Sequence, residues 1–117
     1  MPADYEIIKA ACARRSLAID VEIRPVAFKN GELPAANKCH ENVARWLHEN
    51  PKHVAVRGWL DSGGLLEAHS VVADDEGNLF DVTPRDARIR FIRHNGRDEE
   101  FFALLPANNQ IHCVLFQ

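Results

Sequence analysis

The sequence predicts an α+β domain in which helices pack on one face of an antiparallel sheet. Two early segments carry apolar residues at helical spacing, and each would bury one stripe. Most of the later segments are short, alternate apolar with polar residues, and are separated by turn-forming residues. Helices gathered first and strands afterwards are typical of an α+β fold.

Length and composition indicate a single globular domain over residues 1–117. The chain has 117 residues, of which 46% are hydrophobic and 26% are charged. Folding a chain of this length buries roughly two-thirds of its surface, which is enough for one core. The net charge of −3 gives no overall basic field, so we expect no nucleic-acid partner.

The sequence also predicts the cellular compartment of the protein. No apolar run approaches the roughly 20 residues of a membrane helix. The first ten residues lack the basic and apolar regions of a signal peptide. We therefore expect a cytoplasmic protein without a membrane partner. The chain has three cysteines, which is a small and odd number, so we expect reduced thiols and no disulfide framework.

The first elements precede residue 38. Asp4 to Arg15 is predicted to be a helix with one buried stripe, made of Ile7, Ile8, Ala11 and Cys12. Ile19 to Ile23 alternates as a strand does, and Pro25 makes it an edge strand or ends it. Asn30-Gly31 and Pro34 mark a loop.

A second helix is predicted from Lys38 to Glu49. Asn37 is the expected cap, and Asn50-Pro51 ends the helix. One face of this helix is apolar and would lie on the sheet, with Cys39, Val43, Trp46 and Leu47 as its members.

The remaining elements are mostly strands. A strand is expected over His53–Leu60, and the stretch Glu67–Pro84 should form two strands around a turn. Three further elements are a strand near Arg88–Arg93, a short helix over Asp98–Leu105 that ends before Pro106, and a last strand over Ile111–Phe116.

Cys39 lies at the start of the second predicted helix, two residues after the expected cap. The unpaired backbone N–H groups and the dipole of a helix start favour a thiolate, which is the nucleophilic form of cysteine. The same N–H groups could bind an oxyanion. A buried structural cysteine is the alternative, because Cys39 is in phase with the apolar face. Cys12 and Cys113 are interpreted as core residues.

His69 and Asp81 can interact only if both side chains lie on the same face of the sheet. Loops of two or four residues would place them on opposite faces. A three-residue loop, 75–77, makes them diagonal neighbours roughly 7–8 Å apart. Such loops prefer a left-handed residue in last place, and Gly77 fits. The alternatives are a core histidine and an aspartate that only binds the following turn.

Together these residues resemble the transglutaminase-like branch of the papain-like cysteine protease and amidase superfamily. The resemblance rests on Cys39 opening KCHENVARWL, Ala68-His69 in EAHSVV, the ending DVTP at Asp81, and the intervening VAVRGWL. It implies a papain-like core in which a cysteine-bearing helix packs on an antiparallel sheet. Val71 departs from the family, which commonly has an aromatic residue there.

The resemblance implies acyl transfer without a cofactor or metal. Cys39 would attack a peptide or carboxamide carbonyl to form a thioester, His69 would move the proton, and Asp81 would orient His69. Water as acceptor makes an amidase or peptidase, and an amine makes a crosslinking enzyme. Three further candidates for substrate contact or oxyanion binding are Asn37 as a donor, His40, and Trp59 as a wall of the site.

Two other functions stay open at the level of sequence. A zinc or iron site could use Cys39, His40, His69 and Asp81, although no metal-binding motif is present. The fold could also serve as a non-catalytic module that binds a protein partner. The sequence does not indicate an oligomeric state.

Overall fold

The structure, a computed structural model, describes residues 3–86 and 88–116. For residues 3, 4, 107, 108, 115 and 116 it describes the backbone but not the side chain. It is mixed α+β, as predicted. Its three α-helices are α1 (Ala3–Ala13), α2 (Cys39–Glu49) and α3 (Asp98–Asn108). Its strands are β1 (Ile19–Ile23), β2 (Val54–Ser62), β3 (Leu65–Ala73), β4 (Leu79–Asp81), β5 (Ile89–Arg93) and β6 (Gln110–His112). Short 3₁₀ helices cover Arg15–Leu17 and Cys113–Phe116.

The chain divides into two compact units. The first unit comprises the described residues of 1–20, 57–68 and 90–117. The second unit comprises the described residues of 21–56 and 69–89. Strands β1, β2, β3 and β5 contribute residues to both units, so the division follows spatial contacts rather than chain order.

The first unit contains α1 and α3. Its antiparallel pairings join β2 to β5, with Trp59 opposite Ile92, and β3 to β6, with Leu66 opposite Ile111. The predicted stripe of α1 is confirmed, because Ile8 and Ala11 are buried in the core and Ile7 and Cys12 pack against it. This core is completed by Trp59, Leu66, Ile92, Phe101, Leu104, Ile111 and Cys113.

The second unit contains α2 and a three-stranded part of the sheet in which β4 is central. Strand β4 pairs with β3 antiparallel, and with β1 parallel through Glu22 opposite Phe80 and Ile23 opposite Asp81. The prediction of an antiparallel sheet is therefore wrong for β1, and this part of the sheet is mixed. A parallel partner is distant along the chain, so no turn between the two strands signals the pairing.

The apolar face of α2 packs on strand residues of the second unit. Val43 is fully buried against Val72, Phe80 and Val82, and Trp46 and Leu47 pack on the same cluster. The ring of Trp46 meets that of Phe80 edge-on at 6.2 Å between centroids. This packing fixes α2 against β3 and β4, the two strands that carry His69 and Asp81.

Two predicted boundaries near the end of the chain are wrong. Helix α3 runs through Pro106 instead of ending before it. A proline in the last turn removes one N–H, and the packing of Phe101 and Leu104 in the core holds the helix that precedes it. The predicted strand over 111–116 is shortened to β6, because the chain turns into a 3₁₀ helix at Cys113.

Candidate functional site

The hairpin of β3 and β4 has the predicted three-residue loop. Val72 lies opposite Phe80, and Ala73 lies opposite Leu79. The N–H of Asp74 donates to the carbonyl of Asn78 at 3.0 Å. Gly77 closes the loop with a φ of 85°, which is the left-handed conformation expected there. The register prediction is therefore confirmed.

This register brings His69 and Asp81 into contact. The Nε2–H of His69 donates to Oδ2 of Asp81 at 2.7 Å, and both side chains are buried. The other carboxylate oxygen, Oδ1, accepts the N–H of Thr83 at 3.0 Å. The two functions that the sequence left as alternatives for Asp81, turn formation and a bond to His69, are both present. Because Nε2 is bound to the carboxylate, Nδ1 of His69 is left for the thiol.

Cys39 is the first residue of α2, and its side chain is half-buried. The prediction that Asn37 caps the helix is wrong. Lys38 is the capping residue, and its carbonyl accepts the N–H of Asn42 at 2.8 Å. Asn37 is exposed and has a left-handed φ of 63°, which asparagine tolerates better than most residues. Cys39 is thus one position nearer to the helix start than expected.

The thiol and the imidazole have opposite pKa shifts. Burial would raise the pKa of Cys39, but hydrogen bonds from His40 and His69 and the charges of both rings lower it from 9.0 to about 6. Burial would lower the pKa of His69, but its hydrogen bonds with Asp81 and Cys39 raise it from 6.5 to about 9. Between these values, the favoured state is a thiolate beside an imidazolium.

A side-chain hydrogen bond from His40 also lowers the pKa of Cys39, although the two residues are adjacent on the helix. Nδ1 of His40 lies 2.6 Å from Oγ of Ser70, a fully buried residue that follows His69 on β3. Two consecutive residues of α2 are therefore linked to two consecutive residues of β3. Sequence reasoning missed Ser70, since nothing in the spacing of EAHSVV distinguishes this serine from a core residue.

Asn42 is a second functional candidate that the sequence did not reveal. Its Nδ2–H₂ group donates to Oγ1 of Thr83 at 3.0 Å and to the carbonyl of Ala35 at 2.8 Å. Its Oδ1 accepts the N–H of Ala35 at 3.2 Å. Asn42 therefore ties the segment that leads into α2 to the turn that binds Asp81. An asparagine on the apolar face, three residues after Cys39, was the available signal.

Trp59, predicted as a wall of the site, belongs to the first unit, whereas Cys39, His69 and Asp81 belong to the second. Its side chain has an exposed fraction of 0% and packs in the core of the first unit, with its ring 5.3 Å from that of Phe101. A side chain without exposed surface cannot line an open substrate site, so this prediction is wrong. Its indole N–H has no hydrogen-bond partner among the described residues.

The other two cysteines occupy the first unit. Cys113 is buried, and burial together with a hydrogen bond to Cys113 raises the pKa of Cys12 to about 12. Among the described side chains, no three His, Cys, Asp or Glu groups come close enough to hold a metal ion. No helix in the described part of the chain has the length and apolar character needed to cross a bilayer.

Comparison of the chain with protein-family models, with curated proteins and with solved structures gave no match.

Proposed function

We propose that this chain is a cysteine-dependent acyl-transfer enzyme in which Cys39, His69 and Asp81 form a catalytic triad. The observation that carries the proposal is the buried His69–Asp81 hydrogen bond of 2.7 Å, together with the hydrogen bond of the same imidazole to the thiol at the start of α2. A nucleophile, a base and a group that orients the base form the arrangement needed for nucleophilic catalysis.

The reaction would begin from the thiolate–imidazolium pair. The sulfur of Cys39 attacks a carbonyl carbon, and the carbonyl electrons move to the oxygen. The first N–H groups of α2 have no acceptor within the helix and can stabilise this oxyanion. As the tetrahedral intermediate collapses to a thioester, His69 gives its proton to the leaving amine.

His69 would then act as the base of the second half-reaction. Neutral His69 takes a proton from water or from an acceptor amine as that molecule attacks the thioester. The thiolate leaves, and the imidazolium is restored. Asp81 stabilises the cation in both half-reactions and keeps Nδ1 directed toward the sulfur. A peptide or carboxamide is the proposed substrate class, and hydrolysis is the simpler of the two outcomes.

The proposal includes a papain-like core of the transglutaminase-like type. It is supported by a cysteine that begins a helix, a histidine and an aspartate on neighbouring antiparallel strands, and helix packing on the strands that carry them. The parallel β1–β4 pairing is a departure that the sequence resemblance did not imply.

The first experiment measures the reactivity of each cysteine toward iodoacetamide near neutral pH, by mass spectrometry of peptides. Cys39 should be alkylated more than about 100-fold faster than Cys12, because only a thiolate reacts and the pKa of Cys12 is raised. Cys12 and Cys113 serve as controls within the same molecule. Equal labelling of all three would remove the basis of the proposal.

The second experiment tests acyl transfer itself. Wild-type protein treated with p-nitrophenyl acetate should release p-nitrophenolate and carry an acetyl thioester on Cys39. His69→Gln, which keeps an N–H donor for Asp81, should lose this activity, whereas His48→Ala on the exposed side of the same helix should keep it. A fully alkylatable Cys39 that never becomes acylated would favour a non-catalytic binding module.

A further inference from the structure

We propose that His40 is the side-chain donor of the oxyanion hole and that Ser70 is the positioning residue that holds it in the donating tautomer. This inference rests on the proposed acyl-transfer function. Cys39, His69 and Asp81 supply no side-chain donor to the oxyanion, and His40 would supply one in addition to the backbone N–H groups of α2.

The side chains of His40 and Ser70 are in direct contact. Nδ1 of His40 and Oγ of Ser70 are 2.6 Å apart, which is short for a bond between a nitrogen and a hydroxyl. The Ser70 side chain is fully buried on a strand, so its position is fixed by packing. A long-range bond of this kind immobilises the ring of a half-buried histidine beside the nucleophile.

The contact with Ser70 also decides which ring nitrogen of His40 can donate to Cys39. A neutral imidazole has one N–H and one acceptor nitrogen. Cys39 accepts a hydrogen bond from the His40 ring, and Nδ1 of that ring is already engaged by Ser70. Nε2–H is then the donor to the sulfur, both in the imidazolium, whose two nitrogens donate, and in the neutral ring, whose Nδ1 accepts from the Ser70 hydroxyl.

The negative charge in the site moves from one atom to another during acylation. In the resting site the charge is on the sulfur, and in the tetrahedral intermediate it moves to the oxygen of the attacked carbonyl. A donor beside the sulfur is close to the position that this oxygen occupies, because the carbonyl carbon is then bonded to the sulfur. His40 can donate its hydrogen bond first to the sulfur and then to this oxygen, while His69 transfers its proton to the leaving group.

Two reactions of the same thiolate separate this role from a general effect on Cys39. In acylation by p-nitrophenyl acetate, the sulfur bonds to the acetyl carbon, an oxyanion forms, and p-nitrophenolate leaves as the oxyanion collapses. In alkylation by iodoacetamide, the sulfur displaces iodide from a saturated carbon, and no oxyanion forms. Loss of an oxyanion donor therefore slows the first reaction alone.

The experiment compares both rates in His40→Ala, His40→Gln and Ser70→Ala, each measured on the plateau where Cys39 is fully ionised. His40→Ala should slow acylation by about 10²–10³-fold and change alkylation by only a few-fold. His40→Gln should recover part of the loss, because its amide can still donate. Ser70→Ala should slow acylation by about tenfold, because one hydrogen bond is lost.

His48→Ala is the matched control, since it removes an exposed imidazole from the same helix. Equal loss of acylation and alkylation in the His40 and Ser70 variants would overturn the inference, and so would unchanged acylation. Failure of the proposed function is distinguishable from both, because wild-type protein would then alkylate at Cys39 without any acylation. Where His40→Ala does not fold, the His40→Gln and Ser70→Ala ratios decide the question.

Discussion

At the scale of single residues, the chemistry of the site depends on which partner each ring nitrogen of His69 binds. The Asp81 carboxylate holds Nε2–H at 2.7 Å, so the neutral ring is kept in the tautomer whose Nδ1 can accept the thiol proton. Each group then stabilises the charge of its neighbour. Removing the carboxylate would change the tautomer and the charge of the ring together.

Asp81→Asn should therefore reduce activity more than stability. An amide can still accept the N–H of Thr83, but it presents no charge to His69 and can reverse the direction of the hydrogen bond. We expect kcat to fall by about 10⁴-fold, which is the loss caused by the same change in a well-characterised catalytic triad. The pH dependence of iodoacetamide labelling should show a raised pKa of Cys39, since His69 then carries less positive charge.

Asp75→Asn is the control for this substitution, because Asp75 is an exposed carboxylate in the loop of the same hairpin. It should leave both kcat and the labelling profile unchanged. A full rate in Asp81→Asn with a normal melting curve would contradict the role proposed for Asp81.

The pH dependence of the wild-type protein follows from the two shifted groups. The active form needs an ionised Cys39, with a pKa of about 6, and a protonated His69, with a pKa of about 9. A plot of kcat/KM against pH should be bell-shaped, with limbs near these two values that belong to the coupled pair. A single rising limb near the usual thiol pKa would show that the ion pair does not form.

At the scale of elements, the β3–β4 hairpin was predictable because its information is local. Loop length and the left-handed residue at Gly77 fix the register, and the register decides which side chains share a face. The start of α2 was predicted less well. Asparagine is a preferred capping residue, but Asn37 adopts a left-handed φ of 63° and the helix begins after Lys38.

Substitutions at Gly77 test the turn directly. A Cβ added there would meet no atom within 4 Å, so any cost comes from the backbone at a φ of 85°. Gly77→Ala should lower the free energy of unfolding by about 1 kcal/mol, and Gly77→Asn should lower it by less, because asparagine tolerates this conformation. Urea unfolding of the two variants measures the difference, and equal losses would contradict the backbone argument.

Contacts between distant elements could not be predicted from the sequence. The Asn42–Thr83 bond joins α2 to the turn after β4, and the β1–β4 pairing joins strands that are far apart in the chain. Neither leaves a local pattern, because each depends on how packing places elements that have no common turn. The Cys39, His69 and Asp81 set was accessible only because its strand members belong to one hairpin.

A double-mutant cycle measures the link between α2 and this turn. Asn42→Ala and Thr83→Val each remove one side of a buried 3.0 Å bond and leave the other side unpaired. Each should destabilise by about 1–3 kcal/mol. The double variant should lose less than the sum, with a coupling energy of about 1 kcal/mol. Additive losses in urea unfolding would show that the two groups do not interact.

At the scale of the whole molecule, the thiolate–imidazolium pair connects the site to global stability through proton binding. The pKa of Cys39 is lowered on folding, so its contribution is present above the unfolded value of 9.0 and is lost as pH falls through about 6. The pKa of His69 is raised, so its contribution is present below 6.5 and is lost as pH rises through about 9. The two dependences have opposite signs.

Between about pH 6.5 and 9 these dependences cancel. The unfolded chain holds one proton on Cys39 and none on His69, and the folded chain holds none on Cys39 and one on His69. Both states then bind the same number of protons at this pair, so the pair adds no pH dependence to the free energy of unfolding in that range.

The substitution Cys39→Ser removes the titrating thiol, so the pH dependence that comes from His69 is no longer cancelled. The folded variant still protonates His69 beside Asp81, whereas the unfolded variant loses that proton above about 6.5. Relative to wild type, its stability should fall as pH rises, by up to about 1.4 kcal/mol per pH unit, until the folded His69 also deprotonates. Urea unfolding of both proteins across this range measures the difference, in which all other titrating groups are common. A difference that does not change with pH would mean that His69 is neutral in the folded variant, and that the carboxylate alone does not hold its proton.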